Sequence, residues 1–333
     1  MKDKKIILFD SRWCGSHGIG RFASEVLRCK LKFKKINLTT HPAKPLDSLI
    51  LTLYLMLVQK KSFFFSPGYN SPLLNLKKTV ITIHDLNHID VEHNSSILKK
   101  IYYNFFLKRA LKQSPAILTV SNFTKNRIKE WAGVSESKIF VVSNGVSKDF
   151  NKNAIPYSSV RPYFLVVGNR KKHKNEISAL KAFVLFDDKS YDIYFTGIEN
   201  DEMKYFIKNN DIENNVRFLG TTSDKELASI YKGAVCLLFP SLYEGFGLPV
   251  IESMACGTPV ITSNITSMPE ISGDAAILVD PFDIQEIKKA MSSLIDDEKF
   301  RNALINRGIE QSNKFRWETV RGNVERVFDY LLK

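Results

Sequence analysis

The chain has 333 residues with a formal net charge of +13, and 44% of its residues are hydrophobic and 25% charged. This is about twice the length of a typical domain, and the composition is that of an ordinary globular protein with enough apolar material for two cores. The four cysteines form no C-x-x-C pair and no cluster with histidine. They therefore predict buried free thiols in a reducing compartment and exclude a disulfide framework.

The basic charge is concentrated in the first half of the chain. Residues 1–150 contain 25 lysines and arginines against 10 acidic residues, which leaves 23 basic and 25 acidic residues for the remainder. Such an excess is typical of a solvated lysine-rich surface, or of a face that binds membrane lipid or nucleic acid. The longest apolar run, 49–58, is about half as long as a bilayer span. The N-terminus lacks the features of a signal peptide, so we expect no segment that crosses a membrane.

Short apolar runs alternate with longer helical patterns along the chain. Strands are predicted at 5–9, 63–65, 79–83, 116–120, 139–142, 163–167, 192–196, 216–219, 235–239, 259–262 and 276–279. Helices are predicted at 97–113, 121–131, 174–186, 223–233 and 284–295. Continuous apolar strands between helices indicate parallel sheets that are covered on both faces. The polar segment 147–162 separates two such series, so the sequence predicts an α/β protein with two doubly wound domains.

The stretch 96–113 has two interpretations. It places apolar residues at 97, 98, 101, 102, 105 and 106, with lysines and Arg109 between them. It could be a basic amphipathic helix that rests on a membrane. It could equally be a helix that packs on the core and keeps its basic face in water, and this second interpretation is favoured. The phenylalanines at 63–65 are assigned to a core strand.

In open α/β sheets ligands bind at the carboxyl ends of the strands, so the residues that follow each strand are the candidate site residues. Gly18 and Gly20 follow the first strand, and His84 follows the strand at 79–83. A basic cluster at 170–174 follows the strand at 163–167, and a glycine-rich turn at 245–247 follows that at 235–239.

The stretch SLYEGFGLPVIESMACGTPVITSN carries two glutamates, Glu244 and Glu252, with seven residues between them. Leu248-Pro249 is typical of a helix start and Cys256-Gly257 of a helix end. The turn before this helix would present backbone N–H groups, which are a ready site for phosphate. Both glutamates could then contact parts of one ligand. A glycine-rich turn with a helix glutamate that pairs with a lysine explains the spacing equally well.

The segment 239–281, which contains this stretch, resembles the signature of the retaining glycosyltransferase family 4, whose members carry an E-x7-E motif at this place. Further segments match in the same order: GIGRFASEVL, VITIHDL, TVSNFTKNRI, VVSNGV and VGNRKKHKNEISALKAF. The resemblance covers nearly the whole chain. It implies the GT-B arrangement of two Rossmann-like domains facing across a cleft, at 1–150 and 160–315. It also implies a terminal helix, within 316–333, that packs back on the first domain.

The resemblance also implies roles for the residues of the E-x7-E motif. Glu244 would bind hydroxyls of the donor sugar, and Glu252 would bind the ribose hydroxyls of the nucleotide. Carboxylates suit both tasks because they only accept hydrogen bonds. The diphosphate would rest on the backbone amides of the turn and helix start, at Gly245, Phe246, Gly247 and Leu248.

The basic cluster and the first half of the chain would complete this site. Lys174, with Arg170 as its partner, would stabilise the leaving nucleoside diphosphate, where negative charge grows during transfer. Several relatives have arginine at the position of Asn169, so Arg170, Lys171 and Lys172 compete for that role. Asn169 itself is expected among the residues that bind the donor.

The same resemblance implies roles for residues in the first half of the chain. His84 would lie near the transferred sugar, whereas the neighbouring Asp85 has an equal claim to a structural cap. Gly18 and Gly20 would belong to a loop that closes over the donor phosphate and the acceptor, although a single G-x-G turn is common on its own.

The implied activity is a retaining transfer of a hexose from a nucleotide sugar, GDP- or UDP-linked with GDP-mannose favoured. The acceptor would be a glycan or a polyprenyl-linked oligosaccharide in bacterial surface polysaccharide (O-antigen or capsule) synthesis. The chain has no Asp-x-Asp motif, so neither a metal nor another cofactor is expected. We expect a cytoplasmic enzyme, peripheral on the inner face of the cytoplasmic membrane, with the basic half toward an anionic membrane surface.

Two other functions stay open at this point. One is a sugar-nucleotide epimerase of the same fold, which would need no acceptor. The other is a nucleic-acid-binding protein that uses the basic half. No nucleic-acid partner is expected, because the aromatic residues of that half lie in apolar strands and helices rather than among arginines on a polar face.

Overall fold

The computed structural model describes residues 6–44, 46–59, 61–91 and 97–333. The chain divides into two compact units after Gly145 and again after Arg316. The first unit consists of the described part of residues 1–145 together with Trp317–Lys333, and the second consists of Val146–Arg316. The segment 147–162, which separates the two strand series in the sequence, belongs to the second unit. Its residue Phe150 is buried there, with the ring edge-on to Tyr231 at 5.9 Å.

The first unit is built on a parallel sheet of six strands in the order β2-β1-β3-β4-β5-β6. The strands are β1 (Ile7–Phe9), β2 (Phe33–Lys35), β3 (Phe63–Ser66), β4 (Thr79–Ile83), β5 (Ala116–Thr119) and β6 (Ile139–Val141). The helices before the second unit are α1 (Gly18–Val26), α2 (Asp47–Val58), α3 (Asn87–Asp90), α4 (Ile97–Ile101), α5 (Lys108–Gln113) and α6 (Asn122–Ala132). Phe64 and Phe65 are fully buried in β3, which confirms the assignment of this segment to a core strand.

The second unit repeats this plan with the strand order β12-β11-β10-β7-β8-β9. Its strands are β7 (Tyr163–Val166), β8 (Asp192–Phe195), β9 (Val216–Phe218), β10 (Cys236–Phe239), β11 (Val260–Ser263) and β12 (Ile277–Val279). Its helices are α7 (Glu176–Phe186), α8 (Asp201–Asn209), α9 (Asp224–Gly233), α10 (Leu248–Ala255), α11 (Met268–Ser272), α12 (Ile284–Asp296) and α13 (Glu298–Ser312). Two parallel sheets with interleaved helices confirm the predicted α/β class.

Each predicted strand overlaps an observed one, and only β2 has no counterpart in the prediction. This strand has the sequence FKK, lies at the edge of its sheet and is largely exposed. An edge strand of this length needs no apolar run, so hydrophobic patterning does not detect it. The cysteines confirm the predicted free thiols: Cys29, Cys236 and Cys256 are buried, and Cys14 is half-buried.

The last helix, α14 (Trp317–Leu331), belongs to the core of the first unit. Its residues Val324 and Phe328 are fully buried in one cluster with Phe9 and Phe65 of the sheet. The rings of Phe65 and Phe328 lie 5.1 Å apart in an edge-on arrangement. Burial of these apolar side chains is the interaction that holds the end of the chain on the first sheet.

The stretch 97–113 is one helical run that changes its winding in the middle. A π-helical segment, Tyr102–Leu107, joins α4 to α5. The face that packs on the core consists of Tyr103, Leu107, Ala110 and Leu111. The apolar residues Ile101, Phe105 and Phe106, by contrast, are 43%, 69% and 44% exposed.

The interpretation of this run as an ordinary core-packing helix is therefore wrong for part of its apolar face. The buried residues recur at i, i+4, i+7 and i+8, so they form one face of the run, and Ile101, Phe105 and Phe106 lie off that face. Among the described helices, none has both the length and the hydropathy that a transbilayer helix needs.

Candidate active site

The second sheet reverses its chain order between β7 and β10, which lie side by side. Successive strands run outward from β7 on one side and from β10 on the other, so the loops that leave these two strands diverge. A crevice at the carboxyl ends of such a strand pair is where open α/β sheets bind ligands. The loop after β7 contains the basic cluster, and the loop after β10 contains the first glutamate of the E-x7-E motif.

The structure brings Lys174 and Glu244 together at this sheet edge. The Lys174 Nζ donates to Glu244 Oε1 at 2.6 Å, and the hydroxyl of Ser241 donates to the same oxygen at 2.6 Å. Both charged side chains are partly exposed, by 17% and 12%. The ammonium group also lies 5.3 Å from the centre of the Phe239 ring. A cation and an anion with access to solvent thus stand side by side, and a ligand can compete for both of them.

Hydrogen bonds to backbone carbonyls join the loop after β7 to the loop after β10. The carbonyl of His173 accepts a hydrogen bond from Leu242 N at 2.7 Å, and Ser241 Oγ lies 2.9 Å from the same carbonyl oxygen. Asn175 adopts a left-handed conformation with φ of 53°, and its side-chain amide donates to the carbonyls of Pro240 at 3.0 Å and Pro281 at 2.8 Å. These bonds fix the positions from which Lys174 and Glu244 extend.

The glycine-rich turn is buried and positions the start of α10. Gly247 has φ of 98°, a conformation that favours glycine, and an added Cβ would collide with the side chain of Met268. The hydroxyl of Ser267 donates to the carbonyls of Glu244 at 2.9 Å and Phe246 at 3.2 Å, and Gly245 and Phe246 are both buried.

The helix begins at Leu248, with Pro249 in its first turn, and ends with the cap Cys256, which confirms the predicted bounds. The backbone N–H groups at a helix start have no carbonyl one turn earlier, and they carry the positive end of the helix dipole. The turn therefore directs these N–H groups toward the same sheet edge as the charged pair.

Glu252 lies within α10 and is only 4% exposed. The hydroxyl of Tyr231 donates to its Oε2 at 3.2 Å. A carboxylate so deeply buried is costly unless its oxygens accept hydrogen bonds.

Arg170 is held by contacts of its own. Its guanidinium bonds the Glu176 carboxylate and the Thr196 carbonyl, and its Nε donates to the Ile198 carbonyl at 2.8 Å. The same group lies 5.4 Å from the ring centres of Phe195 and Phe218. The structure thus pairs Arg170 with Glu176, whereas Lys174 pairs with Glu244.

Burial raises the pKa of the Glu176 carboxyl and lowers the pKa of the Arg170 guanidinium, and the attraction between the two groups opposes both shifts. Arg170 also has φ of 61°, which is uncommon for a residue with a side chain. The neighbouring Asn169, Lys171 and Lys172 are exposed.

His84 lies in the first unit, where β4 ends. Its Nε2 lies 2.9 Å from the carbonyl oxygen of Pro67, and because a carbonyl only accepts, Nε2 carries the proton. The ring packs edge-on against Phe22 at 5.0 Å, and burial lowers the pKa of His84. The carboxylate of Asp85 accepts from the Asn87 backbone at 3.0 Å. This bond closes a turn just before α3, but the N-cap of α3 is Leu86, so the cap role considered for Asp85 is not that of the N-cap residue.

Gly18 and Gly20 do not form a loop, so that part of the expectation is wrong. Helix α1 begins at Gly18, and the cap is His17, whose Nδ1 accepts from Gly20 N at 3.1 Å. A Cβ on Gly20 would lie 2.6 Å from the backbone of Gly15, so the loop that precedes α1 folds tightly over this glycine. The side chain of His17 supplies the helix cap, a role that histidine seldom takes and that the G-x-G pattern does not reveal.

We expect the first unit to lose stability as the pH falls from 7.5 to 5. The folded pKa of His84 is lower than its unfolded value of about 6.5, so its contribution is present above that pH and is lost as the pH falls toward the folded pKa. A comparison of the melting temperatures of wild type and His84→Gln at both pH values tests this. The variant should show the smaller drop, and equal drops in the two proteins would contradict it.

Three residues of this sheet edge, Ser241, Asn175 and Ser267, do not follow from the sequence patterns. The first two flank motif residues, but only the fold shows which carbonyls their side chains reach. Among the residues that the structure describes, no group of three or more histidine, cysteine or acidic side chains is arranged to hold a metal ion.

Comparison with known families and proteins gives a consistent result. The family model described as "Glycosyl transferases group 1" matches residues 147–311, and that described as "Glycosyltransferase Family 4" matches residues 61–150. The first match contains the whole candidate site of the second unit, including Lys174, Glu244 and Glu252.

Several individual glycosyltransferases are similar in sequence to this chain. The chain is 29% identical to the O-antigen chain mannosyltransferase B of Escherichia coli, over 78% of this chain and 72% of that protein. It is 33% identical to the O-antigen chain mannosyltransferase RfbU of Salmonella typhimurium, over 66% of this chain and 61% of that protein. It is also 30% identical to the uncharacterized glycosyltransferase MJ1178 of Methanocaldococcus jannaschii, over 73% of this chain and 68% of that protein.

The fold is shared with solved structures. The sucrose-phosphate synthase of Thermosynechococcus elongatus aligns over 98% of this chain and 99% of its own, with a TM-score of 0.76 and 16% identity. Together with the two six-stranded parallel sheets, this likeness confirms the predicted GT-B fold class.

Proposed function

This chain belongs to the family 4, group 1 glycosyltransferases, and from that premise we propose that it transfers mannose from GDP-mannose to a glycan acceptor. The product would be a bacterial surface polysaccharide such as an O-antigen or a capsule. The observation that carries the proposal is the Lys174–Glu244 pair at the carboxyl ends of β7 and β10, beside the N-terminus of α10. The two O-antigen mannosyltransferases among the relatives support mannose as the sugar.

In the proposed complex, the donor displaces part of the Lys174–Glu244 contact. The diphosphate binds Lys174 and the backbone N–H groups between Gly245 and Leu248, because both are positively polarised. Glu244, released from the lysine, accepts hydrogen bonds from the sugar hydroxyls. Glu252 accepts those of the ribose, which places the two carboxylates on either side of the diphosphate.

The proposed transfer retains the anomeric configuration and uses no metal and no cofactor. The bond between the anomeric carbon and the β-phosphate oxygen breaks, and the acceptor hydroxyl oxygen bonds to the same carbon from the same face. The proton of that hydroxyl passes to an oxygen of the leaving diphosphate. Lys174 stabilises the negative charge that grows on this diphosphate. A glycosyl group trapped covalently on the protein would contradict this course.

We assign the protein to the cytoplasmic side of the cytoplasmic membrane, where it binds peripherally, with a polyprenyl-linked oligosaccharide as the acceptor. The excess of basic residues in positions 1–150 supports this, since such an excess is attracted to an anionic membrane surface. The charge distribution does not depend on the donor assignment, so the two parts of the proposal can be tested separately.

The function is tested first with donors alone. The melting temperature is measured with GDP, UDP, dTDP and their common sugar conjugates, and turnover is then measured on the hits in the presence of EDTA. We expect GDP and GDP-mannose to stabilise the protein and transfer to persist with EDTA. Loss of turnover with EDTA would contradict metal independence. Inversion of the sugar without an acceptor would indicate an epimerase, and stabilisation by DNA alone a nucleic-acid-binding protein.

Replacing Glu252 by glutamine should weaken donor binding about 10- to 100-fold, because hydrogen bonds to a charged group contribute about 1.5–3 kcal/mol. The dissociation constant of GDP is measured by calorimetry on the variant and the wild type. Glu226→Gln is the matched control, since Glu226 lies in the exposed capping box of α9. An unchanged affinity of Glu252→Gln for GDP would show that Glu252 does not bind the ribose.

A further inference from the structure

The described part of the first unit contains a pocket of about 460 Å³. Its described walls come from positions 42–44, 46, 48 and 49, from Tyr69, Leu73 and His88, and from positions 99, 101–103 and 106. This volume lies in the range of ligand-binding pockets, about 300–1,000 Å³. None of the residues assigned to the catalytic site of the second unit lines it.

Apolar side chains line this pocket and are still exposed to water. Leu46 and Leu49 contribute from the start of α2, and Ile101 and Phe106 from the helical run that contains the π segment. These four residues are 68%, 49%, 43% and 44% exposed. Ile101 and Phe106, which lie off the buried face of this helical run, therefore supply one wall of the pocket.

The outer face of α2 continues this apolar surface. Leu49, Leu53 and Met56 recur at helical spacing, so they lie on one face, and all three are at least 49% exposed. The opposite face, with Leu51 and Leu55, is buried in the sheet core. Soluble proteins rarely expose a contiguous apolar surface of this kind unless it binds a partner.

The outer face of α2 is not needed to hold the helix in place. Asp47, its first residue, is 1% exposed and accepts hydrogen bonds from Arg12 at 2.5 and 3.1 Å. Arg12 also binds the buried Asp10, at 2.7 and 2.8 Å, and the side chain of Asn70 bonds both carboxylates. This polar network and the buried face hold the helix in place. The exposed side chains of Leu49, Leu53 and Met56 are therefore not needed for that purpose.

The charge around the pocket indicates what kind of molecule fits it. Lys44 and Lys99 line its wall, and none of the described lining residues is acidic. A ligand with a hydrocarbon chain and an anionic head group matches both the apolar wall and the positive charge of the lysines. A concave pocket accepts a single chain, whereas a flat apolar face would suit the surface of a bilayer.

We propose that this pocket binds the hydrocarbon chain of the phosphate-bearing isoprenoid lipid to which the acceptor glycan is attached, with Lys44 and Lys99 beside its phosphate. The assignment to an acceptor rests on the function proposed above. The chain fills the apolar wall formed by Leu49 and Phe106. Binding of the lipid at this site brings the acceptor to the enzyme from the membrane in which the lipid resides.

The test measures the dissociation constant of farnesyl phosphate, below its micelle concentration, by calorimetry on the full chain. Leu49→Ser and Phe106→Ser should each weaken binding at least about tenfold, since each replaces apolar wall by a hydroxyl. Leu57→Ser is the matched control, because Leu57 is also on α2 and 79% exposed but does not line the pocket. Lys44→Gln should weaken binding of farnesyl phosphate and leave that of farnesol unchanged.

Several outcomes overturn the proposal. Absence of farnesyl phosphate binding to the wild type overturns it, and so does an equal loss in Leu57→Ser, which would indicate contact with a bilayer surface instead. Melting temperatures of the variants within a few degrees of wild type exclude unfolding as the cause of a loss.

The proposed function is tested separately in the same variants. Their GDP affinity and their transfer to a lipid-free glycan should equal those of wild type, while the KM for a lipid-linked acceptor rises. If farnesyl phosphate binds as expected but no sugar is transferred to any acceptor, the proposed function fails and the lipid site stands.

Discussion

Lys174→Ala is expected to lower kcat for sugar transfer by about 100- to 1,000-fold, the usual effect of removing one group that stabilises transition-state charge. The ammonium group of Lys174 lies at the sheet edge where β7 and β10 diverge, and it is held by Glu244 and by the ring of Phe239. In the complex proposed above, its removal leaves the developing charge of the leaving diphosphate without the Lys174 cation. Steady-state kinetics with saturating donor separate this effect on kcat from any change in KM.

The matched control is Lys172→Ala. Lys172 lies in the same turn, Lys172–Lys174, but its side chain is exposed, so its replacement removes the same formal charge from the same loop. We expect less than about a threefold change in kcat, because exposed charges are screened by solvent. Similar losses in the two variants would mean that the loop acts through its net charge rather than through the Lys174 position.

Arg170→Met is expected to lower the free energy of unfolding by about 3–5 kcal/mol, the cost of leaving one member of a buried ion pair without its partner. The side chains of Arg170 and Glu176 are 12% and 5% exposed, and the guanidinium also bonds two backbone carbonyls. Its loss leaves the Glu176 carboxylate in a medium that already disfavours its charge. Urea unfolding, followed by a probe in the second unit, measures the change.

Two further variants identify the cause. Arg170→Met combined with Glu176→Leu should recover much of the lost stability, since no unpaired charge stays buried. Lys171→Met, at an exposed neighbour, should leave the unfolding curve unchanged. If Arg170→Met unfolds like wild type but loses transfer as fully as Lys174→Ala, then Arg170 acts on the diphosphate, the role that the family resemblance gave it.

Local patterns suffice for the framework of the molecule. The strands β1 and β3–β12 follow from mainly apolar runs, because a strand that is covered on both faces is mostly apolar. The start of α10 follows from Leu248-Pro249, because proline has the backbone conformation of a first helical turn. Its end follows from Cys256-Gly257, because glycine readily adopts the conformation that ends a helix. The order of strands and helices then places Lys174 and Glu244 at strand ends, and it is enough to identify the fold class.

Contacts between distant segments decided the remaining features. The pairing of Arg170 with Glu176 depends on how the β7 loop folds against Thr196 and Ile198, and no spacing rule contains that information. The exposure of Ile101 and Phe106 depends on which face of the helical run packs on the core, since Tyr103, Leu107, Ala110 and Leu111 take the buried positions. Side-chain partners and helix phase are tertiary properties because burial, which only the folded chain defines, selects among locally equivalent conformations.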